Sequence, residues 1–379
     1  MTTRSPLKRL AFLGALGALA ASSLPATAAA APTPRPVGTV FVQTDGLTGN
    51  EIVVYTRESD GTLTKVGSYP TEGLGGQLSG SVVDHLASQG SLAYDRWGNL
   101  LLAVNAGSNT ISVFSVQGEK LLLRQVLGSG GKFPVSITTY LNQVYVLDAE
   151  EGGALQGYVV RDGYLAPVAS EHRALALATG KKGEETQFTH TPGQVAFTPS
   201  GRDLIVTTKQ AGESIEVFPV SSSPSSLAAK PVVTAAAGNP FDVAFGPGEE
   251  LLVTEAGPST LLSFRLQPNG ELTKLDEVAT GEGATCWVVT AGSHFYTSNA
   301  GSASVTGFSP RLYGGLSDLG NTPTHPGTVD AASAGGDLYV QGGKEGTVDE
   351  FQVLANGSLS NVGSVTVPGA IGGEGIVAL

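Results

Sequence analysis

The 379-residue chain contains a single cysteine, Cys286. No intramolecular disulfide can form, so stability must come from burial and chain topology. At the head of a short apolar stretch, Cys286 is expected to be a buried, unreactive thiol. Only 14% of residues are charged, which leaves little material for the solvated faces of long helices. Basic residues are also in deficit, 21 against 33 acidic ones. Nucleic acid and anionic membrane are therefore disfavoured as partners, since both need a basic patch. The five histidines, His85, His172, His190, His294 and His325, are scattered with no two at ligand spacing, so no metal site is expected. Asp148-Ala149-Glu150-Glu151 lacks the oxygen ladder of a calcium loop and reads as a solvated turn. There is no G-x-S-x-G elbow, and Phe133 stands where a phosphate loop after Gly131-Lys132 requires Ser or Thr. No cofactor is predicted.

What the chain has in abundance is glycine, 52 residues, among short runs rich in Val and Leu. Residues 91–131 read as four short strands joined by tight turns of Gly, Asn, Asp and Ser, and that unit recurs. An aromatic residue in each third strand serves as a ruler: Tyr55, Phe114, Tyr158, Phe218, Phe264, Phe308 and Phe351. Three positions earlier stands an aliphatic residue each time: Ile52, Ile111, Leu155, Ile215, Leu261, Val305 and Val348. The ruler spacings are 59, 44, 60, 46, 44 and 43, against about 40 to 50 residues for a four-stranded propeller blade. Insertions at residues 73–89 and 171–191 account for the two long gaps. The fold class is all-β, a seven-bladed propeller of four-stranded blades. The first blade lacks a first strand, and residues 373–379 match first strands elsewhere, so the C-terminal strand should complete it and close the ring.

Residues 1–31 combine Arg4, Lys8 and Arg9 with an apolar run over 10–24 and small residues around Ala26 and Ala28. This is the pattern of a signal peptide, with cleavage expected near Ala28 to Ala31. Residues 32–37 form a linker and 38–379 the propeller. Removing residues 1–31 takes away three basic residues and no acidic one, leaving 18 basic against 33 acidic, a balance of −15. A secreted acidic monomer without membrane insertion is the expected state.

Propeller geometry directs attention to one mouth of the central channel, where second-to-third-strand loops and blade-to-blade connections meet. The second strands end at Thr44, Asn105, Asp148, Thr208, Glu255, Asn299 and Gly342, six of them polar. They are read either as turn chemistry or as a ligand-binding floor, with Asn105, Asp148, Thr208, Lys209, Glu255, Asn299 and Lys132 as the binding set. Lys132, Lys209 and Lys344 near that rim offer a cation to polarise a carbonyl or hold a carboxylate. The two insertions should cover the same mouth, and they supply the catalytic candidates His85, His190, Glu184 and Glu185.

First-strand and second-strand phrases such as Val195-Ala196-Phe197-Thr198-Pro199-Ser200-Gly201-Arg202, Leu204-Ile205-Val206-Thr207 and Ile215-Glu216-Val217-Phe218-Pro219-Val220 resemble the lactonase-like seven-bladed propellers. That group includes propeller-type 6-phosphogluconolactonase and the carboxymuconate lactonizing enzymes. Asn105-Ala106-Gly107-Ser108-Asn109-Thr110 and Ala284-Thr285-Cys286-Trp287-Val288 look closer to its secreted bacterial branch. The resemblance implies a lactone hydrolase or isomerase. Enzymatic members carry histidine pairs ahead of one first strand and Gly-Pro-Arg-His ahead of another, followed by a second strand ending in Asn-Glu. The matching places here read Gly131-Lys132-Phe133-Pro134-Val135, Thr191-Pro192-Gly193-Gln194 and Thr207-Thr208-Lys209, so no catalytic residue transfers. Two functions stay open. One is hydrolysis of a lactone of a sugar acid or related small molecule. The other is a non-catalytic propeller that binds a small molecule, glycan or cell-envelope partner.

Overall fold

The computed structural model describes residues 1–3, 33–222 and 225–379. The proposed signal segment, residues 1–31, lies almost wholly outside the described residues, as does the first residue of the linker. From residue 34 onward, seven antiparallel sheets form one compact unit. Blade 1 comprises Ile376–Ala378, Pro36–Gln43, Glu51–Glu58 and Leu63–Pro70 from axis to rim. Blade 2 has Leu92–Asp95, Leu100–Asn105, Thr110–Gln117 and Lys120–Gly128; blade 3 has Pro134–Tyr140, Gln143–Asp148, Ala154–Arg161 and Tyr164–Ala174. Blade 4 has Gln194–Phe197, Asp203–Thr207, Ser214–Ser222 and Val232–Ala235, with Ser225–Leu227 as an extra short strand on Ser214–Ser222. Blade 5 has Pro240–Phe245, Leu251–Glu255, Thr260–Leu266 and Leu272–Ala279; blade 6 has Thr285–Ala291, His294–Asn299, Ser304–Pro310 and Leu316–Pro323. Blade 7 has Thr328–Ala334, Asp337–Gly342, Thr347–Val353 and Leu359–Thr366.

The core lies between blades. Phe41, Ile52 and Val54 of blade 1 meet Leu92, Leu101 and Phe114 of blade 2, and comparable clusters fill the successive joints. All seven ruler aromatics are buried, and so are the seven aliphatic partners. The ruler also marks a backbone feature. In blades 1, 2, 3, 5, 6 and 7 the third and fourth strands slip register immediately before the aromatic. Such a bulge strengthens the local twist. In blade 4 the fourth-strand pairing stops at Val217, just before Phe218. Blade 3 departs from expectation at its rim, where the fourth strand runs on to Ala174. Buried Glu171 accepts a hydrogen bond from Tyr145 Oη at 2.8 Å and another from Leu227 N of blade 4 at 2.8 Å, which draws these residues into the sheet.

Around the axis, side chains at the inner strands bond across the blade joints. Ser136 Oγ accepts from Val195 N (3.1 Å), Gln194 Oε1 from Val243 N (2.6 Å) and Asp242 Oδ2 from Val288 N (2.7 Å). Asp330 Oδ2 accepts from Ile376 N and Glu374 Oε1 from Ser91 N, both at 3.3 Å. At the joint of blades 2 and 3 a backbone bond does the same work, Ile137 N to Gly90 O at 2.8 Å. Between blades 6 and 7, where Trp287 offers no acceptor, Ser333 Oγ donates to Thr290 O at 2.8 Å.

The C-terminal strand closes the ring as expected. Val40, Phe41 and Val42 pair with Ala378, Val377 and Ile376, and Gln43 N donates to Gly375 O at 2.9 Å. Removing residues 373–379 takes away this pairing, the buried Ile376 side chain and the Glu374 tie to blade 2. The expected loss is about 5 kcal/mol or more, from one large buried side chain and several hydrogen bonds of about 1 kcal/mol each. Thermal unfolding of the truncated chain at an unchanged temperature would contradict this closure.

Candidate functional site

The mouth where blade-to-blade connections meet is filled from within. The insertion after blade 1 buries Leu78, Leu86 and Ala87 in the cluster shared by blades 2, 3 and 4. Its backbone reaches around the ring. Ser88 O accepts from Trp287 Nε1 of blade 6 (2.7 Å), and Ser88 Oγ donates to Val135 O of blade 3 (2.9 Å). Gln89 N donates to Gly193 O ahead of blade 4, and His85 N to Gly372 O ahead of blade 1. Val83 packs with Phe241, Trp287 and Val329. The second insertion lies on the first: Phe188 N donates to Ser79 O, and Ser79 N to Gln187 Oε1 at 2.9 Å. The two segments therefore plug one mouth together.

Lys209 is the pin of this plug. It is 1% exposed, donates from Nζ to Ala87 O (2.5 Å) and Phe188 O (2.7 Å), and stands 5.3 Å from the Phe241 ring centroid. It thus holds one carbonyl from each insertion rather than standing free at the rim. Burial lowers the pKa of its ammonium and raises that of the Asp84 carboxyl, and the attraction between the two offsets part of each shift. Asp84 is itself committed, accepting from Leu86 N and Ser88 N at 2.8 Å. Cys286 is buried and its thiol is pushed up to about 12, in keeping with an inert group.

The other expected binding residues are placed as follows. Asn105 is fully buried: Oδ1 accepts from Asn50 Nδ2 and Thr71 Oγ1, and Nδ2 donates to Thr110 Oγ1 and Ser112 Oγ. Asn299 repeats the pattern with Thr285, Ser304 and Thr306. Thr208 Oγ1 donates to Ser214 O at 2.9 Å. These side chains tie the end of a second strand to the start of the third. Asp148 Oδ1 accepts from Ser129 Oγ at 2.6 Å, while Oδ2 is buried without a partner. Glu255 is largely buried, and that burial raises its pKa. Lys132 is exposed.

The catalytic candidates are not joined to one another by any hydrogen bond or ion pair among the described residues. His85 lies 3.8 Å from Asp45 Oδ2, and burial lowers its pKa. His190 Nδ1 contacts Thr189 Oγ1 and Thr186 O of its own turn. Glu184 accepts from Lys181 N, and Glu185 is exposed. Among the described residues no group of three or more His, Cys, Asp or Glu could hold a metal ion, and no helix is long and apolar enough to cross a membrane.

One arrangement suited to proton transfer stands at the edge of the plug. His325, between blades 6 and 7, contacts Asp349 Oδ1 through Nδ1 at 2.6 Å, and its amide donates to Asp349 Oδ2 at 2.7 Å. Asp349 is 2% exposed, whereas the His325 side chain is 39% exposed. With Nδ1 donating to the carboxylate, Nε2 keeps the free lone pair. The loop is held close. Gly327 lies against Lys344 and Val83 Cγ1, and a side chain at Gly342 would meet His325 Cβ at 3.1 Å. The signal in the sequence was position, since Thr324-His325-Pro326-Gly327 directly precedes a first strand, as His190-Thr191-Pro192-Gly193 does. The orienting Asp349 lies on another strand, and nothing in its local sequence pairs it with His325.

With fold and site described, the chain can be set beside known proteins. No protein-family model matches it, and no curated protein matches its sequence. Solved structures do. The periplasmic gluconolactonase PpgL from Pseudomonas aeruginosa is similar at a TM-score of 0.71 and 16% identity, over 90% of this chain and 98% of that one. A Bacteroides fragilis protein provisionally named a 6-phosphogluconolactonase is similar at a TM-score of 0.68 and 18% identity, over 90% and 97%. The fold shared with these structures is the seven-bladed propeller. AztD from Citrobacter koseri, similar at a TM-score of 0.58 and 11% identity over 90% and 97%, is a reminder that other proteins share this ring.

Asp148 gives a test of the buried polar ring. Burial lifts its carboxyl from 3.8 to about 7. The folded chain then holds a proton that the unfolded chain releases, so the contribution is fully present below about pH 4 and is lost as pH rises to about 7. Asp148→Asn should accordingly stabilise the protein relative to wild type more at pH 7.5 than at pH 4.5, by about 3 kcal/mol, since part of the shift between 3.8 and about 7 is already expressed at the lower pH. Equal differences in unfolding free energy at the two pH values would refute the assignment.

Proposed function

We propose that this protein is an exported lactone hydrolase in which His325, oriented by Asp349, is the general base. The observation that carries the reading is the buried carboxylate bonded to Nδ1 of a part-exposed imidazole at the mouth rim. A histidine so held keeps one tautomer and one orientation, and a positioned base contributes about 10²- to 10⁴-fold to such reactions. The likeness of the ring to structures named as gluconolactonases supports the substrate class, and the basic-apolar-small pattern of residues 1–31 supports export.

In the reaction, Nε2 of His325 takes a proton from water while the water oxygen attacks the ring carbonyl carbon. The exposed Lys344, whose loop packs on Gly327, supplies a nearby cation for the developing oxyanion. Collapse of the tetrahedral intermediate breaks the ring C–O bond, and the imidazolium returns its proton to the departing alkoxide. The product is the open hydroxy acid. A second reading, a non-catalytic ring that binds its partner, is favoured by the plugged mouth.

The two separate in one experiment. Purified protein is assayed on glucono-δ-lactone and a series of aliphatic lactones against spontaneous hydrolysis. Turnover is expected to fall at least about 100-fold in His325→Gln and to drop in Asp349→Asn, with His85→Ala and His190→Ala close to wild type. Absence of turnover across the series, or full activity in His325→Gln, would refute the base assignment.

A further inference from the structure

The plug occupies one face of the ring, and the larger surface clefts open on the other, where first-to-second and third-to-fourth turns lie. One of them, about 520 Å³, runs between the turns of blades 4, 5 and 6. This volume is within the usual range for small-molecule sites, about 300 to 1,000 Å³. Its wall is Tyr313, 88% exposed, next to Leu312 at 85%. Two adjacent large apolar side chains so fully in water, more exposed than Trp97 at 58% or Tyr164 at 44%, call for an explanation.

The backbone sharpens the point. Tyr313 has φ 64° and ψ 24°, the left-handed region, which is strained for a bulky L-residue. The loop holds this conformation by direct bonds. Ser263 Oγ donates to Gly314 O (2.5 Å), Arg311 N to Gly315 O (2.6 Å), and Leu316 N to Asp276 Oδ2 (2.8 Å). The ring is thus set out over the cleft by a fastened turn rather than left on a loose one.

Facing it are polar groups of both signs. Arg202 and Arg265 line the cleft, and neither guanidinium forms an ion pair or hydrogen bond among the described residues. Glu249 and Glu250 line it too. Glu250 Oε1 is buried without a hydrogen-bond partner, and burial raises the pKa of its carboxyl while the Ser263 hydroxyl and the Arg265 charge draw it back down. Opposed charges disfavour a strongly anionic or cationic ligand. They suit a neutral molecule dense in hydroxyls, which can donate to a carboxylate and accept from a guanidinium at once. A flat exposed ring beside them suits the apolar C–H face of a sugar.

We propose that this cleft is a binding site for a neutral saccharide, stacked on Tyr313 and hydrogen-bonded by Arg202, Arg265 and Glu250. It lies on the face away from His325, so its test does not depend on lactone hydrolysis. The full chain is titrated calorimetrically with cellobiose, maltose, mannobiose and N,N′-diacetylchitobiose. At least one should bind with a Kd of about 1 mM or tighter. Tyr313→Ala should weaken that binding about tenfold or more, Tyr313→Phe should retain it, and Arg265→Ala should weaken it as well. Unchanged thermal unfolding of these exposed variants guards against loss of fold as the cause. Failure of all four sugars to bind, or binding indifferent to both Tyr313→Ala and Arg265→Ala, would overturn the assignment.

Discussion

Seven sheets set around an axis leave their inner strands with no sheet neighbour on that side, and every polar group there must find a partner across a joint or remain unpaired. The inner side chains meet this demand. Ser136, Gln194, Asp242, Asp330 and Glu374 each accept from a backbone N–H of the following blade. The bonds fix the angle between blades, so the apolar layers further out meet in a constant register. The cost is a set of carboxyls in the driest part of the molecule. Burial raises the pKa of Asp242, Asp330 and Glu374, and repulsion from a neighbouring carboxylate adds to it in each case.

That constraint also governs where chemistry can occur. Acids spent on holding the ring are poor candidates for a reaction, and the first insertion then covers them, with Lys209 joining both insertions over the axis. What stays accessible is the rim of the plug, where His325 rests on Asp349, and the far face, where the turns are free to vary. A rigid ring whose accessible groups lie at its edges is consistent with the general pattern that loops carry function while the scaffold holds them in place.

Much of the fold was legible because its signals are local and repeated. The aromatic in each third strand, with an aliphatic residue three earlier, reports a strand buried on both faces, since residues three apart point to opposite sides: Ile52 packs toward blade 2 and Tyr55 toward blade 7, and the seven pairs are buried throughout. The match of residues 373–379 to other first strands was likewise enough to predict ring closure. The candidate site was less legible, since a polar residue at the end of a second strand looks the same whether it bonds a ligand or its own turn. Asn105 and Asn299 spend both amide atoms on neighbouring strands and hydroxyls. The insertions could be located from spacing, but not their depth. Leu78, Leu86 and Ala87 mark a segment that enters the core rather than a lid that lies over it. The His325–Asp349 pair joins residues 24 positions apart on different elements, a contact that only the path of the chain through blade 7 creates.

Lys209 shows how position alone can reverse the reading of a residue. At the end of a second strand it had the look of a rim cation. In the structure its backbone turns through φ 46°, and the side chain runs inward to two carbonyls. A lysine there is costly to bury, yet removal of its ammonium would leave Ala87 O, Phe188 O and the Asp84 carboxyl without their cation. The same side chain that pins the plug therefore keeps the axis closed, and any ligand must be met at the rim or on the opposite face.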